Sequence, residues 1–204
     1  MQWEKRSSEF STFFPTLFRV GLTRRFEARV EGDTYTTIAD HDLHEQGLTP
    51  ISIGFKSLFT SPGSDGPAAG VIVGVTPAWG TGAFASEKAS ADVRFVVDLD
   101  LSEHWSLNPN AGVAWTDGEF GAFIPALLAV TLSYQPRPGM ELFVDGAAEI
   151  PEAEQGTASV VIDAGLAVIR RKNWQFDVSA GKRVHGDTAP NPFVSVGVSY
   201  RSRR

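Results

Sequence analysis

The chain has no cysteine among its 204 residues. That excludes a disulfide framework, a thiolate metal site and a thiol nucleophile. It also lacks any stretch near the roughly 18 consecutive apolar residues that a membrane-spanning helix requires. Excess positive charge is missing: the formal net charge is −6, which argues against a general nucleic-acid binder. The opening residues, MQWEKRSSEFSTFF, have neither an apolar h-region nor a small-residue cleavage site, so they do not read as a secretory signal peptide. On that reading the chain either stays inside the cell or is a mature or truncated form. Helix-period runs are scarce. None of these absences excludes a spanning β-barrel, whose signal per strand is weak and whose overall hydropathy stays near neutral.

What the chain does have is alternation. In NWQFDVSAGKRV (173–184), Trp174, Phe176, Val178 and Ala180 share one side of an extended chain, and Gln175, Asp177, Ser179 and Gly181 share the other. Side chains alternate faces along a strand, so this is a strand with one apolar and one polar face. The pattern recurs at 16–22, 25–32, 51–59, 91–101, 105–115, 128–135, 140–145, 160–168 and 194–201. The stretch 70–76 is more apolar, yet Val71, Val73 and Val75 still share a side. With a weak strand near 2–8, which leaves room for a missing upstream portion, the count is about twelve. That is an even number, as in single-chain outer-membrane barrels. One domain, 1–204, is expected.

Connections alternate short and long. TRR (23–25), SEH (102–104), PRPG (136–139) and RRKN (170–173) are short, and SPGSDGP (61–67) is somewhat longer. The others, 33–49, 78–88, 116–122, 150–157 and 185–192, are read as longer loops. Up-and-down membrane barrels have short periplasmic turns and longer external loops. Trp105, Tyr134, Trp174 and Tyr200 all lie on the apolar face beside a short turn or the C-terminus. They are expected to form an aromatic girdle at one interface. Trp79 and Trp115 would begin the opposite ring.

The polar face carries Arg19, Glu27, Arg29, Glu31, Lys56, Asp92, Arg94, Asp98, Asp100, Glu141, Asp145, Asp163 and Asp177. It would be solvated exterior in a soluble barrel and lumen in a membrane barrel. Its wealth of Gly and Ser favours the lumen. So does an opposite face without the varied fill of a tapering interior.

At this point particular residues resemble a family. FPTLFRVGLTRRFEARVE (14–31), GLTPISIGFK (47–56), DLDLSEHWSLNPNAGVAW (98–115), LSYQPRPGMELFVDG (132–146), VVIDAGLAVIRRKNWQFDVSAG (160–181) and FVSVGVSYR (193–201) resemble the phenol-degradation meta-pathway (MetA-pathway) family of outer-membrane barrels. The most specific element is D-A-G-L, then a short basic turn, then N-x-Q-x-D. The resemblance implies an up-and-down antiparallel transmembrane barrel with a permeation role. Family members look exported, whereas this chain shows no export signal. Outer-membrane barrels usually end on an aromatic residue read by the assembly machinery, and here Tyr200 is followed by RSRR.

The expected function is therefore an outer-membrane channel passing small molecules, apolar or aromatic ones among them, by passive diffusion. The alternatives are a structural or ligand-binding barrel with a plugged lumen and, third, a soluble β-barrel binding protein. The expected partners are outer-membrane lipid, small solutes and, during biogenesis, the barrel-assembly machinery, with the chain a monomer. No cofactor or metal is expected. In DHDLHE, Asp40, His41, Asp42, His44 and Glu45 match no established metal spacing and read as a hydrated acidic loop. His104 and His185 have no nucleophile motif beside them, so no enzyme is expected. If TRR is a tight turn, Arg19 faces Arg29 with Glu27 and Glu31 diagonal to both. A salt-bridge lattice is the favoured reading of these charges, ahead of a selectivity filter. Arg94 is expected to face Gly112 and Asp98 to face Asn108. The lumen would be basic on the earlier strands and acidic on the later ones.

Overall fold

A computed structural model describes residues 1–204 except 7–8, 40–43, 61–65, 119–120, 152–156, 172, 187–191 and 203–204, with side chains left aside also at 3–6, 9–10 and 117–118. It contains fourteen strands: β1 (Gln2–Arg6), β2 (Glu9–Gly21), β3 (Phe26–Ala39), β4 (His44–Gly47), β5 (Ser52–Leu58), β6 (Ala68–Thr76), β7 (Ser90–Asp100), β8 (Trp105–Gly118), β9 (Gly121–Phe123), β10 (Ala126–Arg137), β11 (Met140–Ile150), β12 (Ser159–Arg170), β13 (Trp174–His185) and β14 (Phe193–Tyr200). One 3-10 turn, Gly82–Phe84, lies between β6 and β7. All pairings are antiparallel and join sequence neighbours, apart from β3–β5, β8–β10 and β1–β14. β8 pairs with β7 on one side and β10 on the other, and β1 joins β14 to β2. Setting aside β4 and β9, which pair only with β3 and β8, the remaining twelve strands are joined in a ring in which the short β1 bridges β14 and β2 over part of their length only. Pairing around the ring removes most of the unpaired sheet edges that would otherwise invite aggregation, and among the described residues the seam between β14 and β2 stays unpaired toward the short turns.

The short turns follow from their residues. In TRR the Thr23 hydroxyl accepts from the Arg25 and Phe26 amides at 3.1 Å, and the Leu22 amide donates to the Phe26 carbonyl at 2.8 Å. SEH repeats this design: the Ser102 hydroxyl accepts from the Trp105 amide at 3.2 Å, and Leu101 donates to the Trp105 carbonyl at 2.9 Å. A hydroxyl that captures amides two and three residues on reverses the chain without help from elsewhere. In the β10–β11 turn, Pro138 precedes Gly139 at φ 78°, the residue order a type II turn demands.

Two loop readings are corrected. The segment 33–49 is largely a continuation of the wall: β3 runs to Ala39, and β4 pairs back on it with Thr36 opposite Gly47. Likewise 116–122 is mostly strand, because β8 reaches Gly118 and β9 returns on it. Beyond the body of the barrel these strands still satisfy each other's backbone groups, so nothing forces them to end early.

The core sits where a soluble protein would not put it. Among the described residues only Ile72, Val96, Ala167 and Phe193 are buried hydrophobics. Val198 is 61% exposed, Phe95 57% and Phe176 50%, all on the outward face. An apolar surface that continues around the ring of strands is far larger than the few hundred Å² a soluble monomer tolerates. Of the outward residues on β10 to β14, Val130, Leu132, Ile162, Phe176, Val178, Val196 and Val198 are exposed, whereas Val160 and Leu166 are half-buried.

Candidate functional site

The inner face of β3 carries Glu27, Arg29 and Glu31, and β2 sets Arg19 opposite Arg29 in the ladder. Like charges in directly opposed positions are unfavourable. Here the carboxylates interleave: Arg29 lies 3.6 Å from Glu27 and 2.9 Å from Glu31. Arg19 itself is exposed. On β5, Lys56 stands opposite Glu27.

Between β3 and β7 the row of inward positions reads Arg29, Gly54, Gly74, Asp92. Both glycines are buried. A Cβ on Gly54 would meet the Val73 carbonyl oxygen at 2.3 Å, and one on Gly74 would meet the Asp92 carboxylate at 2.7 Å. The two glycines thus leave a trough in the wall. Across it Arg94 of β7 donates to Glu31 of β3, and it donates through Nε to Asp92 at 2.7 Å. Arg94 stands opposite Gly112, as expected, and a Cβ there would press on the Arg94 Cγ at 2.8 Å. The lattice therefore holds two arginines between three carboxylates, and it corrects the expectation of a basic wall: Glu27, Glu31 and Asp92 neutralise it from within.

A polar relay continues along β7 and β8. Asn108 donates its amide to the Asp98 carboxylate, as the facing positions suggested, and also to the Val97 carbonyl at 3.0 Å. The Asn108 oxygen accepts from Asn110 at 2.9 Å. The bond to Val97 has a clear cause. Val97 and Pro109 stand where the ladder would exchange hydrogen bonds, but proline has no N–H, and the β7–β8 ladder skips from Val96/Asn110 to Leu99/Leu107. The neighbouring side chain replaces the missing donor. Asp100 lies exposed beyond this seam.

The opposite wall is built differently. Asp145 of β11 stands directly opposite Asp163 of β12. Glu141 accepts from Ser133 at 2.9 Å and from Gln135 at 3.2 Å. Asp177 lies against Gly197, where a Cβ would come within 2.1 Å of its oxygen. No ion pair joins these four carboxylates among the described residues. Aromatic rings fill the space instead: Phe143 lies over Gly165 and Phe193 over Gly181, each ring within 2.4 Å of where a Cβ would be.

Where the walls meet, a cavity of about 540 Å³ opens on the inner face among Arg94, Asn110, Leu127, Ala129, Glu149 and Val161. Of these only Arg94 was singled out from the sequence. Val161 is inward-facing within an apolar VVI run, and Leu127 precedes the clearest alternation of β10, so period alone gave a weak signal for both. Behind the same stretch of wall, an outer groove of about 520 Å³ lies among Phe95, Val97, Pro109, Leu128, Val130 and Val160.

The four girdle aromatics come together as two cross-strand pairs at the short-turn end. Trp105 and Tyr134 stand opposite each other with ring centroids 4.7 Å apart, and Trp174 and Tyr200 with centroids 4.8 Å apart. Trp105 is 43% exposed and Tyr200 60%, while Tyr134 is half-buried beneath its partner. Of the acidic run, Asp40, His41 and Asp42 lie outside the described residues, and His44 and Glu45 begin β4. No group of three potential metal ligands occurs among the described residues.

A continuous antiparallel ring, apolar outside and charged inside, defines the class: an up-and-down β-barrel of the outer-membrane type. The family model described as "Putative MetA-pathway of phenol degradation" matches residues 3–202, and the chain belongs to that family. The fold is similar to the crystal structure of an outer-membrane channel from Pseudomonas putida F1, with a TM-score of 0.71 at 10% identity, over 94% of this chain and 83% of that one. A comparison with curated proteins finds no match.

Proposed function

We propose that this protein is an outer-membrane channel that lets small molecules, apolar and aromatic ones included, diffuse passively along its lumen. The observation that carries this reading is the inversion of the barrel: charged and polar residues line the inside of the strand ring and apolar ones its outside. Such a surface is stable with lipid around it and water within. The similarity in fold to a channel supports the same reading.

The cavity beside Arg94 gives it a chemical character. Arg94 already donates to Glu31 and Asp92, so its charge is largely answered. Leu127, Ala129 and Val161 supply an apolar surface beside it. A site of this kind suits a small molecule with an apolar body and a limited polar part better than a fully hydrated ion. On this reading the chain acts as a monomer, takes solutes and membrane lipid as its partners, and performs no catalysis.

Single-channel recording in a planar bilayer tests this. Wild-type protein is expected to conduct, and Arg94→Ala to change the ratio of cation to anion permeability by freeing Asp92 and leaving Glu31 to Arg29 alone. Silence from correctly folded protein, in wild type and variant alike, would leave a barrel with a plugged lumen.

A further inference from the structure

The two ends of the barrel carry opposite charge. Of the longer connections, 33–49, 116–122, 150–157 and 185–192 contain acidic residues and no lysine or arginine, and 78–88 carries one charge of each sign, Glu87 and Lys88. The short-turn end has the reverse composition, with Arg24 and Arg25 after β2, Arg137 after Tyr134, Arg170 at the end of β12 and Arg171 after it, and Arg201 after Tyr200. Following the ring from β10 through β14 and past β1 to β3, these arginines sit on one side of the rim, in two groups separated where β1, which begins at the level of Ser195, does not reach it. The remaining arc has Glu103 in the SEH turn.

Within this arc one group is held in place. Asn173 donates its side-chain amide to the Arg201 carbonyl at 2.7 Å, and the Arg201 amide donates to the Asn173 carbonyl at 2.8 Å. These two hydrogen bonds tie the C-terminal segment to the β12–β13 turn and set Arg201 opposite Asn173, at the turn that also carries Arg170 and Arg171, all three exposed. Arg170 is the ladder partner of Trp174, and Trp174 is paired with Tyr200. Exposed cations therefore stand beside an aromatic pair on the apolar face.

We propose that Arg170, Arg171 and Arg201, beside the Trp174–Tyr200 pair, form a binding site for the headgroup of an anionic phospholipid in the leaflet that meets the short turns. Guanidinium forks match phosphate oxygens, and aromatic rings with one polar edge lie at the depth where headgroup and acyl chain join. Basic side chains near an anionic leaflet each favour association about fivefold, and salt screens them. The acidic end offers no such complement. The inference rests on the bilayer placement of the barrel and not on conduction.

The test uses the protein folded into phosphatidylcholine vesicles doped with spin-labelled phosphatidylglycerol or spin-labelled phosphatidylcholine. Wild type is expected to select the phosphatidylglycerol label several-fold at low salt and to lose most of that preference at high salt. The triple variant Arg170→Gln, Arg171→Gln, Arg201→Gln should fall close to parity, and the corresponding lysine triple should keep most of the preference. Equal association of both labels with wild type overturns the proposal, as does undiminished preference in the glutamine triple. Displacement of the label by inorganic phosphate, beyond that seen with chloride at equal ionic strength, would assign the cluster to free phosphate and overturn the lipid site. Heat-modifiable gel mobility reports insertion separately: a chain that never inserts overturns the membrane reading as well, whereas an inserted barrel without lipid preference overturns this site alone.

Discussion

The two walls of the lumen meet the same problem with different chemistry. On β3 to β7, Arg29 and Arg94 are held between Glu27, Glu31 and Asp92, over a trough made by Gly54 and Gly74. On β11 to β14, Asp145 and Asp163 face each other without an ion pair among the described residues, and the ring tips of Phe143 and Phe193 lie over Gly165 and Gly181. One wall is closed by ion pairs, the other by rings on glycine. The first is sensitive to removing a charge and the second to adding volume. The lumen is thus divided into a neutralised side and an acidic side.

Adding volume to the ring-filled wall should have the largest effect. A Cβ at Gly165 would meet Phe143 Cζ at 2.3 Å and the Val178 carbonyl oxygen at 2.5 Å. The ring can swing away but the backbone cannot. Gly165→Val is expected to cost about 3 kcal/mol, the upper part of the range for overpacking. Gly74→Ala in the other wall meets only side-chain ends, Asp92 Oδ1 at 2.7 Å and Ser52 Oγ at 2.8 Å. It should cost less than about 1 kcal/mol, since rotamers can give way. Urea unfolding in lipid vesicles would measure both, and equal losses would erase the distinction between the walls.

Charge removal should have opposite signs on the two sides. Arg94→Ala leaves half-buried Asp92 without its donor and Glu31 with Arg29 alone, and is expected to destabilise by about 1–3 kcal/mol. Asp163→Asn relieves an opposed pair of carboxylates, and is expected to stabilise by about 0.2–1 kcal/mol at neutral pH. The same two variants in a conducting channel should shift ion selectivity in opposite directions, Arg94→Ala toward cations and Asp163→Asn away from them. Loss of stability in both would mean that Asp145 and Asp163 hold each other through a partner not yet seen.

Much of the wall could be read from period-2 alternation, because one side of each strand is apolar and a slip of one residue would reverse every side chain. Arg19 opposite Arg29, Arg94 opposite Gly112 and the tight TRR and SEH turns followed from local pattern and turn chemistry. The bond from Arg94 to Glu31 did not. The two are 63 residues apart in sequence and three strands apart in the ring, and they meet only because two glycines lower the wall between them. Phe143 shares a face with Glu141 and Asp145, yet its ring serves as filling over Gly165, a role that depends on its neighbour strand. The extension of β3 to Ala39 was obscured by a bulge near Pro15 and Asp33, which breaks the alternation.

The smallest expected effect lies at the seam where the walls meet. Pro109 removes one donor from the β7–β8 ladder, and Asn108 supplies a substitute to the Val97 carbonyl at 3.0 Å. Pro109→Ala restores a backbone N–H to an acceptor already served, so its effect on stability should stay within about 0.5 kcal/mol. Asn108→Ala should cost more, about 1–2 kcal/mol, because the Val97 carbonyl and the Asp98 carboxylate both lose a donor. The double variant tests the substitution directly. With alanine at 109 donating to Val97, removal of Asn108 should cost less than it does beside proline, leaving a coupling of about 0.5–1 kcal/mol in a double-mutant cycle. Strict additivity would show that the ladder cannot re-form there, and that the gap between β7 and β8 is set by the strands' geometry and not by the missing proline donor.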